Sequence, residues 1–183
     1  MEVKVKSNMK EAMRNLRNVP KKYVQKALVT SLNKIGAEVF TQAKRELKDA
    51  TGLKAGVVGK KIKKDKARKG DETYSIHIKS RYKNVIEFGA RQTKKGVSAK
   101  VWGKRRIYKG TFIGSGRTSG KQLVFGKSKR KKNKLKALHG ASLPREFHRE
   151  DMAKIFNKKI KTRFPILFKR ALEFHLMKAK GRV

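Results

Sequence analysis

VPKKYVQKALVTSLNKIGAEVFTQAKRELKD, residues 19–49, is the stretch on which the fold turns. Tyr23, Ala27, Ser31, Ile35, Val39, Ala43 and Leu47 recur at every fourth position, and Val24, Leu28, Leu32 and Phe40 widen the line into a stripe. Fourth-residue recurrence of small and apolar side chains marks a helix with one buried face. The expected element is one helix over roughly residues 19–49, about 45 Å long at a rise of ~1.5 Å per residue. Asn18 can cap its start, Pro20 is tolerated in a first turn, and Gly52 lies just past its end. Gly36 sits in the middle, where glycine costs about 1 kcal/mol relative to alanine. A neighbouring element is therefore expected to come close at that point.

On the N-terminal side, Val3 and Val5 alternate with charged residues as in a short strand, and Met9, Met13 and Leu16 suggest a brief amphipathic helix. On the C-terminal side, Tyr74, Ile76 and Ile78 alternate with Ser75, His77 and Lys79, the period-2 pattern of a half-buried strand. Further strands are expected at Val85–Phe88, Val97–Val101, Ile107–Ile113 and Leu123–Phe125, separated by glycine-containing turns. With no helical pattern between them they should pair antiparallel, as a meander. Met152, Phe156, Ile160, Phe164, Phe168, Leu172 and Leu176 then restore the helical rhythm. Pro165 removes a backbone donor inside it, so a kink or a break into two helices is expected near Arg163. The fold class is α+β: an antiparallel β-meander packed by one long helix and a C-terminal helical segment, as a single domain over residues 1–183.

The charge is extreme. The 183 residues carry 52 Lys+Arg against 13 Asp+Glu, a formal net charge of +39 at pH 7. Solubility needs a net charge of only ~2–8 in a small domain, so the excess points to a polyanionic partner, with nucleic acid the default. Most of these residues are lysines, which suit diffuse phosphate contact better than bidentate base recognition. Two blocks stand out: Lys60, Lys61, Lys63, Lys64, Lys66, Arg68 and Lys69, and Lys127, Lys129, Arg130, Lys131, Lys132, Lys134 and Lys136. Such blocks read as loops or arms that reach phosphate. A third group, Lys104, Arg105 and Arg106, is interleaved with Trp102 and Tyr108 and could form a stacking platform for single strands. Trp102 and Tyr108 also bracket an expected turn, and their packing against the core is the plainer explanation.

Enzymatic chemistry finds little support. A chain without cysteine has no disulfide framework, no cysteine-ligated metal and no cysteine nucleophile. Gly114 and Gly120 are separated by five residues and Gln122 follows Lys121, so the glycine-rich stretch fails as a phosphate-binding loop and reads as a hairpin loop. Of the histidines His77, His139, His148 and His175, only His148 lies among acids, Glu146, Glu150 and Asp151, and acids near a helix start are explained by the helix dipole. No catalytic, cofactor-binding or metal-ligating residues are assigned and no cofactor is expected. No apolar run approaches a membrane span, and Met1–Lys10 lacks the apolar stretch of a signal peptide, so a soluble protein made in the cytosol is expected.

Ala90-Arg-Gln-Thr-Lys-Lys-Gly-Val-Ser-Ala-Lys-Val101 resembles the minor tail protein Z family of long-tailed bacteriophages. Arg106-Ile-Tyr-Lys-Gly-Thr-Phe-Ile113 resembles the strand that follows in that family. Leu138-His-Gly-Ala-Ser-Leu-Pro-Arg-Glu-Phe147 resembles the segment before its last helix, and Ala50-Thr-Gly-Leu53 the junction after the long one. The likeness covers most of residues 20–178, with two departures: Ala141 stands where the family usually has proline, and the 127–136 block is enriched in basic residues. The resemblance implies a non-enzymatic tail-completion protein of the virion, at the head-proximal end of the tail and assembled in the host cytoplasm. It implies a homo-oligomeric ring, expected as a hexamer, around the DNA channel. Its partners would be tail terminator or tail tube proteins, head–tail connector proteins and the double-stranded DNA of the genome end, with no membrane. The candidate DNA contacts are Lys60, Lys61, Lys63, Lys64, Lys104, Arg105, Arg106, Lys127, Lys129, Arg130, Lys131, Lys132 and Lys134. The alternative is a ribosomal or other RNA-binding basic module, which would copurify with RNA and be monomeric in high salt.

Overall fold

A computed structural model describes residues 2–5, 19–79, 82–117, 120–128, 134–149 and 152–181. In chain order the elements are β1 (Glu2–Val5), α1 (Lys21–Thr51), α2 (Ala55–Lys61), β2 (Ile62–Asp65), β3 (Tyr74–Ile78), a 3-10 turn (Val85–Phe88), β4 (Arg91–Thr93), β5 (Gly96–Val101), β6 (Lys104–Lys109), β7 (Thr111–Ser115), β8 (Gln122–Lys127), β9 (Leu135–Ala137), α3 (Leu143–Arg149) and α4 (Met152–Ala179). The class is α+β, and the strands form three small antiparallel sheets in the orders β1-β3-β2, β4-β5-β6 and β7-β8-β9. The last two are meanders in chain order. The expected helix at Met9–Leu16 and the Asn18 cap lie outside the described residues.

The chain divides into two compact units. The first comprises Met1–Ala43, Lys63–His77 and Asp151–Val183. Its core is the stripe of α1: Val24, Ala27, Leu28, Leu32, Ile35, Val39 and Ala43 are all buried, as are Tyr74 and Ile76 of β3 and Phe156, Ala171 and Leu172 of α4. Glycine at position 36 lets β3 approach, because a methyl group there would overlap the Tyr74 ring. β3 is the middle strand of its sheet and buries Ser75 as well, so it is covered more fully than a half-buried strand. Along α1, Thr30 Oγ1 meets His175 Nε2 at 3.2 Å, Glu38 accepts from Arg163 at 3.0 Å, and Gln42 accepts from Lys159 at 3.2 Å. Partners descend in number as α1 ascends, so α1 and α4 run antiparallel. Three further bonds fix the connection before β3. Asn33 donates to the Ala67 carbonyl and accepts from its N–H, both at 3.0 Å. Gln25 donates to Glu72 at 2.7 Å, which holds the Glu72 carboxyl below the usual range. At Pro165 the division into two helices does not occur: α4 continues through it as a single element.

The second unit comprises Lys44–Ile62 and Ile78–Glu150. Leu47, Leu53, Val58, Val85, Phe88, Val97, Ala99, Val101, Val124, Leu143 and Phe147 make its core. Val85–Phe88 is a 3-10 turn where a strand was expected. The Asn84 side chain accepts from the Ile86 N–H at 3.0 Å, and Gly89 ends the turn at φ +64, which closes the segment on itself. A four-residue apolar run carries too little periodicity to separate these outcomes. The expected strand over Ile107–Ile113 is interrupted at Gly110, so that β6 and β7 belong to different sheets. The first basic block is no simple loop: its first six residues finish α2 and form β2. No helix among the described residues is long and apolar enough to cross a membrane.

Candidate nucleic-acid interface

The β5–β6 hairpin organises the candidate surface in the second unit. Val101 pairs with Lys104, leaving a two-residue turn of Trp102 and Gly103 with φ of +54 and +71. Positive φ at both positions is the type I′ geometry whose twist suits a tight hairpin. Glycine accepts it freely, whereas a bulky residue at positive φ is a genuine outlier, of the kind that costs about 1–3 kcal/mol and needs external support. Three bonds and one close approach supply that support. The Trp102 N–H donates to the Thr51 carbonyl at 2.9 Å, at the end of α1. Its indole Nε1–H donates to Glu146 Oε1 of α3 at 2.8 Å. Gly52, at φ +76, lies so close to the Lys100 carbonyl that any side chain would collide with it, and its own N–H donates to Lys48 O at 2.9 Å. The helix end and the hairpin tip are thereby fixed together, with the indole left 47% exposed.

Register decides how the basic residues of β6 are displayed. Paired residues share a face, so Lys100 and Arg105 stand side by side, with Arg91, Ser98 and Ile107 in the next row. Val97, Ala99 and Val101, all buried, share the other face with Tyr108, Arg106 and Lys104. Lys104, Arg105 and Arg106 are therefore all exposed, on an edge strand, but they do not form one row. Arg105 lies along its own sheet: its guanidinium donates to Ser98 Oγ at 3.2 Å and to the Gly89 carbonyl at 3.3 Å. Like charges opposed in a register, as at Lys100 and Arg105, are destabilising unless a counter-charge is present. Arg91 and Lys100 were missed as candidates, since only the pairing with β6 brings them onto the face of Arg105. Burial raises the Tyr108 hydroxyl above the usual tyrosine range, opposed by the nearby Arg106, so Tyr108 is partly covered and no open stacking surface.

The other candidates are distributed between the units. Lys60 and Lys61 occupy the last turn of α2, where cations favour the helix dipole, and belong to the second unit. Lys63 and Lys64 are exposed on β2 in the first. Lys64 Nζ stands 5.1 Å from the Phe40 ring centroid, a cation–π contact that engages its ammonium with the protein's own ring. Lys127 ends β8 opposite Leu135, and Lys134 is exposed beside it. Lys129, Arg130, Lys131 and Lys132 lie outside the described residues. The glycine-rich stretch is the loop of the β7–β8 hairpin, closed by Gly116 N–H to Lys121 O at 2.8 Å. Glu146, one of the acids near His148, is the buried acceptor of Trp102. Among the described residues no group of three or more His, Asp or Glu could hold a metal. His77 pairs with Asp65 at 2.7 Å, on the same sheet.

The model of the family described as prophage minor tail protein Z (GPZ) matches residues 6–180. The chain belongs to the minor tail protein Z family. No match was found to a curated protein or to a solved structure. This minor tail protein Z chain is thus a structural component of a phage tail, and the family match spans both units described above. A family of tail proteins brings with it association with other tail components and a place in the virion.

Proposed function

We propose that the chain completes the phage tail at its head-proximal end. It does so as a homo-oligomeric ring, taken as a hexamer, that encloses the DNA channel, meets the tail terminator or tube on one side and the head–tail connector on the other, and holds the end of the genome. The observation that carries this is a family match over residues 6–180 in a chain of net charge +39. A tail protein has DNA as its natural polyanion, and lysine contacts to phosphate are sequence-independent and readily exchanged when the genome must leave. The exposed Lys60, Lys63, Lys64, Lys104, Arg105, Arg106, Lys127 and Lys134 support the same role. It requires no catalysis.

The test replaces Lys127, Lys129, Arg130, Lys131, Lys132 and Lys134 with glutamate in the phage. Tails should still assemble and carry the protein at the head-proximal end when imaged, while particles lose DNA and infectivity. Unchanged infectivity would overturn the assignment of these residues. A protein purified as a high-salt monomer bound to RNA would favour an RNA-binding module instead.

A further inference from the structure

The second unit contains a pocket of about 240 Å³ lined by Tyr82, Trp102, Ala141, Ser142, Arg145 and Glu146. Two aromatic side chains on its wall are conspicuously open: Trp102 is 47% exposed and Tyr82 53% exposed. Neither is loosely held. Trp102 is anchored through Nε1 to Glu146, itself only 4% exposed, and the Tyr82 hydroxyl accepts from Arg145 Nη1 at 3.2 Å. The polar edge of each ring is thus occupied by a protein partner, and what remains for a ligand is the ring and its face.

We propose that this pocket takes one unpaired nucleobase of a DNA strand, stacked on Trp102 with Tyr82 and the Arg145 guanidinium at its rim. At about 240 Å³ it has room for a single base, every base presents a π-face, and base–aromatic stacking tolerates any sequence. Charge selects nucleic acid over a protein segment as the occupant, because a chain of net charge +39 concentrates polyanions at its surface. The inference rests on the DNA-binding reading above and narrows it: lysines contact phosphate anywhere, whereas this pocket distinguishes a frayed or single-stranded end from intact duplex.

The full chain holds a single tryptophan, so indole emission reports on the pocket directly. The protein is titrated with a single-stranded oligonucleotide of about ten nucleotides, within the usual site sizes of single-strand binders, with the duplex of the same length, and with inorganic polyphosphate. The single strand should quench the emission, and the duplex and polyphosphate should bind with little change. Trp102→Gly, which suits the positive φ, should weaken single-strand binding about 5- to 150-fold, the equivalent of one base stack, and leave duplex binding unaltered, as read from the anisotropy of a labelled strand because the variant has no tryptophan. Tyr82→Ala, at an exposed site on the rim, should weaken single-strand binding by less and likewise leave duplex binding unaltered. Equal single-strand and duplex affinity with silent emission, unaffected by either variant, would overturn the pocket and leave phosphate contact standing. Binding of none of the three probes would overturn both. An emission change that a tail-protein partner produces and oligonucleotides do not would assign the pocket to a protein segment and overturn the inference.

Discussion

Single side chains in this protein are decisive where they meet backbone from far along the chain. Asn84 is buried, and its amide accepts from the N–H groups of Ile86 and Val124 and donates to the Val124 carbonyl. Asn84→Ala leaves two donors without their acceptor, and at ~1–3 kcal/mol for each unsatisfied buried group the variant should lose about 2–6 kcal/mol in chemical denaturation. At position 36 two effects oppose each other. Alanine would gain about 1 kcal/mol of helix propensity, but its methyl must displace the Tyr74 ring, which is 1% exposed and has nowhere to move. Overpacking costs ~1–3 kcal/mol, so Gly36→Ala should be destabilising by calorimetry. Tyr74 also supplies a change in the other direction. Its hydroxyl is buried with no hydrogen-bond partner among the described residues, and burial raises its titration above the usual range. Tyr74→Phe should leave stability unchanged or raise it by up to ~1 kcal/mol; a clear loss would reveal a partner for the hydroxyl.

At the scale of elements, α1 and α4 pack through a buried stripe flanked by polar cross-links, and one of these carries a histidine. His175 of α4 contacts Thr30 of α1, and its pKa is lowered by burial, with Lys26 and Lys178 adding repulsion. Its value in the unfolded chain is about 6.5. The unfolded state therefore binds the proton more readily, and stability is fully present above that pH and lost as pH falls through the lowered folded value. Denaturation midpoints should drop on acidification below about 6.5, and His175→Gln should flatten that slope. The helices themselves were legible in the sequence: the stripe from Tyr23 to Leu47 became α1 at Lys21–Thr51, within two residues of the expected limits. Of the two outcomes expected near Pro165, a kink or a break, the break does not occur. α4 buries side chains on both sides of the proline, Phe156 before it and, after it, Ala171 and Leu172 in a cluster with Val24 and Ala27 of α1.

At the scale of the whole molecule the charge governs behaviour. If DNA is held by phosphate contacts, log K should fall linearly with log salt at about −0.9 per phosphate neutralised. Replacing Lys63 or Lys64 by alanine should then reduce that slope by about 1 each, equally for all sequences, as read from fluorescence anisotropy at several salt concentrations. If such subunits assemble into the proposed ring, it must also be held against its own repulsion. Screening reaches only ~10 Å at 0.1 M salt and weakens to ~30 Å at 0.01 M, so isolated assemblies should fall apart by light scattering as salt is lowered and be restored by DNA.

The sequence by itself determined the α+β class, the two long helices, most strands of the meanders, the family and the excess of charge. These are properties of local periodicity, motif order and composition, and they survive any rearrangement of distant parts. Only the tertiary structure decided which faces the charges occupy. A run as plain as Lys104-Arg105-Arg106 is split by strand pairing, and Arg91 and Lys100 join it through register alone. It also decided the roles of Glu146, Trp102 and Asn84, whose partners are 40 or more residues away. Burying a polar group is costly without a partner, but nothing local says where that partner lies, so the pocket at Trp102 exists only once the β5–β6 hairpin, Tyr82 and the start of α3 have been brought together.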